Sequence, residues 1–420
     1  MRTLESWLEF ISTQHWQSID MGLARMDVMI QRMSLAQPAP RVITIAGTNG
    51  KGSTCMACEA LLLASGCRVG TTLSPHVRRF NERVRIDGVE VGDALLCEAF
   101  TAVEARREGL PLTYFEFSAL AALWCFKQAD VDVAILEIGL GGRLDAFNAI
   151  DANVAVITSI DLDHQQFLGT TREAIGAEKA GILRAGQHVV LGPNMPLSVH
   201  ERCASLHLEP VQIGQQSACR VVAEPPATDA TWSIFRGQQA LATGLPYGQC
   251  APQNLLLAYM AIQGVRATPL SDIADVAACL TLPGRLQIEH RDQRVWLLDV
   301  AHNPAGAEFL CQQLSMRGLV PRAIVCGMLS DKDHAGVFAA VDDYCHAPWW
   351  QLSTHGERGL SAQALAAKLP VNARPFDEIV CLIDELNSAT QPGDVILLFG
   401  SFNVVEQFDL VRETTHDFER

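Results

Sequence analysis

Two continuous apolar runs, VDVAILEIG (131–139) and NVAVITSI (153–160), restrict this chain more than any other feature. Neither alternates apolar with polar residues, so neither suits a strand with one wet face. Both suit strands covered on both sides, the condition of a parallel sheet sandwiched between helices. RVITIAG (41–47) and RVGTTLS (68–74) read as further strands. A stretch from about Lys51 to Ala64 and YFEFSALAALWCFKQA (114–129) carry apolar residues at helical spacing. Strands alternating with helices imply a doubly wound α/β domain.

The chain has 420 residues, more than one ordinary core accommodates, so two domains are expected. Between about 205 and 250 the pattern weakens into short polar strands and turns, as in EPPATDATWSIF, before a helix at about 253–263. LTLPGRLQIEH (280–290) joins Pro283 and Gly284 to the end of a helical segment and is the expected interdomain hinge. Beyond it, strands at 294–300, 322–327 and 394–400 alternate with helices at about 303–315, 361–368 and 376–389. The expected division is therefore 1–284 and 285–420, each part α/β.

A formal charge of -15 argues against nucleic acid or an anionic membrane as partner. No apolar run approaches the roughly 18 residues of a membrane span. The opening MRTLESWLEFIS mixes acids with apolar residues and lacks a small-residue cleavage site, so it does not read as a signal peptide. Thirteen scattered cysteines suggest reduced thiols in the cytoplasm. The C-x-x-C of Cys55 and Cys58 falls on the expected helix and has no second pair nearby, which favours core packing over metal or redox chemistry.

ITIAGTNGKGSTC (43–55) resembles a phosphate loop but departs from its usual form: Ile45 stands where the first glycine belongs, and Gly52 follows Lys51 in place of a hydroxyl. A strand ending at Gly47, three glycines within six residues and a helix beginning near Lys51 would still point N–H groups and a cation at an anion. Glu137 ends a buried strand opposite this loop, where a magnesium ligand belongs; a helix cap or salt-bridge partner is the alternative. SIDLDHQQFLG (159–169) sets Asp161, Asp163 and His164 on the same edge. LSPHVRRFNERVR (73–85) adds Ser74 and a basic patch of Arg78, Arg79, Arg83 and Arg85, either a solvated face or a seat for an anionic substrate. EKAGIL (178–183) places Lys179 in apolar surroundings, where a lysine shifts its pKa and becomes reactive. LLDVAHNPAG sets Asp299, His302 and Asn303 after a buried strand, and Arg285 lies at the expected hinge.

In combination, AGTNGKGS, SPHVRRFNERV, LTYFEF, LEIGLGGRLDAFN, LDHQQFLG, EKAGI, LPGR and DVAHNP resemble the bacterial dihydrofolate synthase/folylpolyglutamate synthase family of Mur-ligase-like ATP-dependent amide ligases. The resemblance runs from IDMGLARM to LLFGSFNVVEQ (19–407). It implies a larger N-terminal, P-loop NTPase-like central domain and a smaller C-terminal Rossmann-like α/β domain. It implies ATP contacts at Gly47, Thr48, Asn49, Gly50, Lys51, Gly52, Ser53, Asn254, Arg285, Asp299 and His302, with Lys51 at the terminal phosphates. Two magnesium ions are implied, with Ser74, Glu137 and His164 as ligands and Lys179 carboxylated to a carbamate that serves the second ion. Lys51, Lys179 and His164 are thus the implied catalytic set. Pteroate binding maps onto Asp20, Met21, Gly22 and Leu23, onto Thr113, Tyr114, Phe115 and Glu116, and onto Leu144, Asp145 and Ala146. Departures from the family pattern are Phe147, Val77 and Asn403.

The activity so implied is ATP-driven addition of L-glutamate to dihydropteroate and to reduced folates through an acyl phosphate, with domain closure excluding water. The expected protein is a cytoplasmic monomer with small-molecule partners only. One alternative is folylpolyglutamate synthase activity alone. Another is a cell-wall Mur ligase, against which the DMGL and TYFE segments speak. A third is a nucleotide-binding switch, which has no use for Lys179 or the DVAHNP motif.

Overall fold

The two apolar runs form β5 (Val133–Glu137) and β6 (Val154–Ile157), every residue of which is buried. They flank β1 (Arg41–Ala46) in parallel, with Ile45 opposite Glu137 and Ala46 opposite Ile157. The computed structural model describes residues 2–17, 19–214, 219–223, 231–266, 272–369 and 373–416. Part of the polar segment noted in the sequence, 224–230, lies outside these.

The strands β2 (Val69–Thr72), β3 (Val84–Ile86), β4 (Val89–Glu90), β7 (His188–Leu191) and β8 (Val211–Gln212) complete an eight-stranded sheet of order β4-β3-β2-β5-β1-β6-β7-β8. It is parallel from β2 to β8, but β3 and β4 run antiparallel at one edge. Their connection is Asp87-Gly88, both with positive φ (51° and 82°), the two-residue turn that matches strand twist. The all-parallel expectation therefore fails at this edge.

One face of the sheet is covered by α1 (Leu4–Ser12), α2 (Ala24–Met33), α4 (Asp93–Arg107) and α5 (Tyr114–Ala129). Trp7, Met26, Met29, Phe100, Phe117 and Phe126 from these helices share one core cluster with the sheet. Each such side chain contributes about 1.5–3 kcal/mol through burial. α3 (Lys51–Ala64) packs on β2, β5 and β1 and against α9 (Pro252–Ile262). Cys55 and Cys58 are fully buried on α3, and the Cys58 thiol lies 3.8 Å from the Ala258 carbonyl. The C-x-x-C is core packing, and all thirteen cysteines are free thiols. Between them in the chain come α6 (Gln165–Leu168), α7 (Arg172–Ala180) and α8 (Leu197–Ser205).

A three-stranded sheet has the order β11-β10-β9, with β9 (Cys219–Ala223), β10 (Thr231–Arg236) and β11 (Gln239–Pro246). The last sheet has six strands in the order β12-β13-β17-β14-β15-β16. They are β12 (Gln287–Arg291), β13 (Arg294–Asp299), β14 (Ala323–Cys326), β15 (Trp349–Leu352), β16 (Arg374–Phe376) and β17 (Val395–Phe399). All neighbours are parallel except β12 and β13. The last four residues of the expected hinge segment, 287–290, thus belong to strand β12, whose alternating exposure marks an edge with one wet face. The chain groups into two compact units. One comprises Met1–Val222, Ser233–Leu245 and Pro252–Ala277; the other comprises Ala223–Trp232, Pro246–Ala251 and Ala278–Arg420. Among the described residues, no helix is long and apolar enough to cross a membrane.

Candidate active site

β1 is the central strand at which the order of the large sheet reverses, since the chain places β2 on one side of it and β6 on the other. Ligands of open α/β sheets bind beyond the carboxyl ends of strands at such a point. Gly47 to Gly50 follow β1 there and open α3. The loop is fastened by the segment after β6. Thr48 N donates to Ser159 O (2.8 Å), Asn49 N to Ser159 Oγ (3.0 Å) and Thr158 Oγ1 to Asn49 O (2.6 Å). Asp161 N donates to Thr48 Oγ1 at 3.0 Å. Gly50 takes a left-handed φ of 83°, and a β-carbon there would lie 2.7 Å from Asn254 Oδ1. No other residue fits without displacement, and the same contact puts Asn254 of α9 beside the loop. Lys51 Nζ donates to Gly47 O and Thr48 O, both at 3.2 Å. Gly52 and Ser53 are buried in the first turn of α3. Loop amides and the N-terminus of a 14-residue helix, with one ammonium, are groups that could receive an anion despite the missing first glycine.

Next to this loop, Ser74 N donates to Glu137 Oε2 at 2.7 Å. The Ser74 hydroxyl is buried and has no hydrogen-bond partner. An orphaned hydroxyl costs about 1–3 kcal/mol, and a hard divalent cation beside a carboxylate would relieve it. The pair therefore fits magnesium. His164 stands on the same edge after β6, with φ 49°, and its ring lies 3.9 Å from Asp163 Oδ2. Among the described residues, no three His, Cys, Asp or Glu side chains gather closely enough to hold a metal.

Lys179, in the last turn of α7, is only 5% exposed. Burial, together with the Lys51 ammonium, lowers its pKa to about 7, against the opposing pull of Asp163 and Asp145. Near neutral pH a good part of this amine is unprotonated and nucleophilic. Asp145 is buried, which raises its pKa to about 6 although Leu140 N, Phe147 N and Gly139 N all donate to it at 3.0 Å and Lys51 lies nearby. Its carboxylate shapes the 139–147 loop. Arg143 N donates to Glu178 O at 2.8 Å and so joins that loop to the helix of Lys179.

The segments expected to hold pteroate converge on this loop. Phe115 packs on Gly139 so closely that a β-carbon there would sit 2.5 Å from its Cζ. Its ring also meets Phe147 edge-on at 5.7 Å. Met21 Cε would lie 3.5 Å from a β-carbon at Gly141. Thr113 caps α5, and Glu116 returns the bond to Thr113 N at 2.8 Å. Leu144 is half-buried and Ala146 buried. Tyr114 lies under Arg83, whose guanidinium carbon is 5.8 Å from the ring centroid. Burial lowers the Arg83 pKa, and Arg83 Nε donates to His76 Nδ1 at 2.7 Å.

The basic patch is largely spent on the protein itself. Arg85 pairs with buried Glu59 (3.1 Å) and Arg79 with Glu90 (2.7 Å). Of the departures, Phe147 is the partner of Phe115, and the Val77 N–H is held by Glu82 at 2.7 Å. Asn403 Oδ1 accepts from His355 N at 3.0 Å.

In the second unit, Asp299 ends β13. Its oxygens accept from Leu286 N and Ala301 N, both at 2.8 Å. Burial raises its pKa. Arg285 is half-buried with its guanidinium carbon 5.8 Å from the Phe402 ring, and His302 Nδ1 lies 2.8 Å from Val300 O. Asn303 caps α11 (Pro304–Met316) through Gly306 N. The sequence reading missed Thr158 and Ser159 as fasteners of the glycine loop. Small hydroxyl residues directly after an apolar strand were the available signal.

A family model for the Mur ligase middle domain matches residues 45–191, and one for the Mur ligase, glutamate ligase domain matches 284–402. The dihydrofolate synthase/folylpolyglutamate synthase of Escherichia coli (strain K12) is 40% identical over 416 residues, spanning 96% of this chain and 94% of the relative. A solved structure of E. coli FolC in complex with DHPP and ADP superposes with TM-score 0.91 at 36% identity, covering 99% of both chains. That of the bifunctional folylpolyglutamate synthase/dihydrofolate synthase from Yersinia pestis, complexed with AMPPNP and Mn ion, gives TM-score 0.90 at 39% identity over 98% of both chains.

Proposed function

Because the chain belongs to the dihydrofolate synthase/folylpolyglutamate synthase family of Mur ligases, we propose that it uses ATP to join L-glutamate to dihydropteroate and to the γ-carboxylate of reduced folates. The observation that carries this reading is the meeting of Lys51, buried Lys179 and the Ser74–Glu137 pair at one sheet edge. A switch that only binds nucleotide has no use for the buried Lys179.

The acceptor carboxylate attacks the γ-phosphorus of ATP, and ADP leaves. The glutamate amine then attacks the acyl carbon of the resulting acyl phosphate, phosphate leaves and the amine loses a proton, giving the amide. The N-terminus of α3 and the Lys51 ammonium hold the triphosphate and stabilise the charge gathering on the leaving ADP. Asn254 would contribute to the nucleotide site from α9, beside Gly50. A divalent cation, when bound, neutralises phosphate charge and polarises the γ-phosphoryl group. Ser74, Glu137 and His164 would hold it. Lys179 adds to carbon dioxide through its free amine and, on loss of a proton, becomes a carbamate that would serve a second ion. Its low pKa supports this, since only the unprotonated amine reacts. The acceptor lies against Asp20–Leu23, Thr113–Glu116 and Leu144–Ala146; the approach of Met21 and Phe115 to the 139–147 loop, which carries the third segment, supports the grouping. Free cysteines support a reducing, cytoplasmic setting.

The test is glutamate-dependent ADP release by the purified protein with magnesium and ATP, using dihydropteroate and tetrahydrofolate in separate reactions. Turnover of both acceptors is expected, with oxygen-18 passing from the acceptor carboxylate to phosphate. No glutamate-dependent release with either acceptor refutes the reading. Release with tetrahydrofolate alone reduces it to the polyglutamylating activity.

A further inference from the structure

Arg25 is the second residue of α2, a place where a cation faces the positive end of the helix and gains nothing locally. Leu23 caps this helix without a side-chain bond, so no capping side chain fixes the preceding loop. The guanidinium instead joins two distant segments. Arg25 Nε donates to Glu116 Oε1 and Oε2 at 3.0 and 3.1 Å. Its Nη1 donates to Asp20 Oδ2 at 2.7 Å and its Nη2 to the Asp20 carbonyl at 2.8 Å. Glu116 is nearly buried, with 5% side-chain exposure against 20% for Arg25. His15 Nε2 lies 3.3 Å from the same Asp20 oxygen and supports it from α1's side of the loop.

We infer that Arg25 is a positioning residue for the acceptor: by gripping Asp20 and Glu116 at once it holds the Asp20–Leu23 loop against the start of α5. This rests on the reading that these two segments bind the pteroate moiety. Both ends of the fork lie within those segments, yet Arg25 belongs to neither. A lysine has a single nitrogen and cannot span the same four acceptor positions. Gly22 strengthens the case. A β-carbon there would meet no atom within 4 Å, so the protein's own packing does not require a glycine in this loop. Open space at that position leaves room for a flat ring to approach the backbone once Arg25 has fixed it.

The experiment compares wild type with Arg25→Ala and Arg25→Lys in three measurements: KM and kcat for dihydropteroate, the Kd of AMPPNP, and amide exchange at residues 19–23. In Arg25→Ala the acceptor KM is expected to rise about tenfold or more, as a small misplacement of a substrate-positioning group does, with kcat little changed. The AMPPNP Kd should stay within a factor of about two, because the glycine loop does not use Arg25. Exchange at 19–23 should quicken, ethylguanidinium added to Arg25→Ala should lower the acceptor KM again, and Arg25→Lys should fall between. An unchanged acceptor KM, or an AMPPNP Kd that weakens in step with it, overturns the inference and leaves Arg25 as part of the general fold. If wild type itself turns over no acceptor, the underlying reading falls, and the inference falls with it.

Discussion

The edge of the eight-stranded sheet and the edge of the six-stranded sheet each end a buried parallel strand in a carboxylate, and the two acids are used differently. Glu137 accepts the Ser74 N–H and stands beside the Ser74 hydroxyl, which has no hydrogen-bond partner. Asp299 divides both oxygens between the N–H groups of Leu286 and Ala301, closing the turn in which Leu286 takes a φ of 43°. Position at a strand end makes a carboxylate available, and the neighbouring backbone decides what it is available for. The first edge keeps the unpartnered Ser74 hydroxyl and a lysine of lowered pKa; the second turns its acid onto its own loop.

Lys179→Met is the strongest test of the first edge. Activity should fall about a thousandfold, as when charge stabilisation is removed from a phosphoryl-transfer site, measured as ADP release at saturating substrates. Near-normal turnover would falsify the role of this amine. The same variant has a pH signature. The folded amine is neutral above about pH 7, whereas the unfolded side chain keeps its proton toward 10.5. Unfolding therefore takes up a proton across that window, and wild type should gain stability as pH rises from 7 toward 10.5. Urea melts of Lys179→Met should lack that slope.

Glu137→Gln should cost about a hundredfold in kcat, read as ADP release at saturating ATP and magnesium. Ser74→Ala should raise the magnesium requirement roughly tenfold and leave metal-free stability level or slightly higher, since an orphaned hydroxyl is removed. Asp299→Asn should show the reverse pattern. One of its two N–H partners loses an acceptor, so stability should drop by about 1–2 kcal/mol in denaturant titration with only a modest change in kcat. If Glu137→Gln unfolds as readily as Asp299→Asn while keeping its rate, the contrast between the edges is wrong.

Much of this was legible beforehand where one residue pattern had one physical meaning. The runs around Glu137 and Ile157 read as doubly buried strands and are buried throughout, and the strand, glycine loop and helix expected over 41–64 are in place. Legibility ended where a pattern had two meanings. Pro283-Gly284 suggested a hinge, but β12 follows at once, and its polar alternation is that of an edge strand. Asp87-Gly88 carried a hairpin signal that the arginines around it masked. Trp349 and Trp350 begin β15 in a run too short to stand out. The candidate site was readable as residue types on one edge. Which atoms were already committed, as in Asp145 and Asp299, depends on backbone amides that no spacing reveals.

The Lys51 ammonium already has two ligands in the loop's own carbonyls, Gly47 O and Thr48 O. The carbonyls hold the ammonium in place without cancelling its charge. A triphosphate bound at this loop, as proposed, would meet a cation already oriented, so less side-chain freedom would be lost on binding.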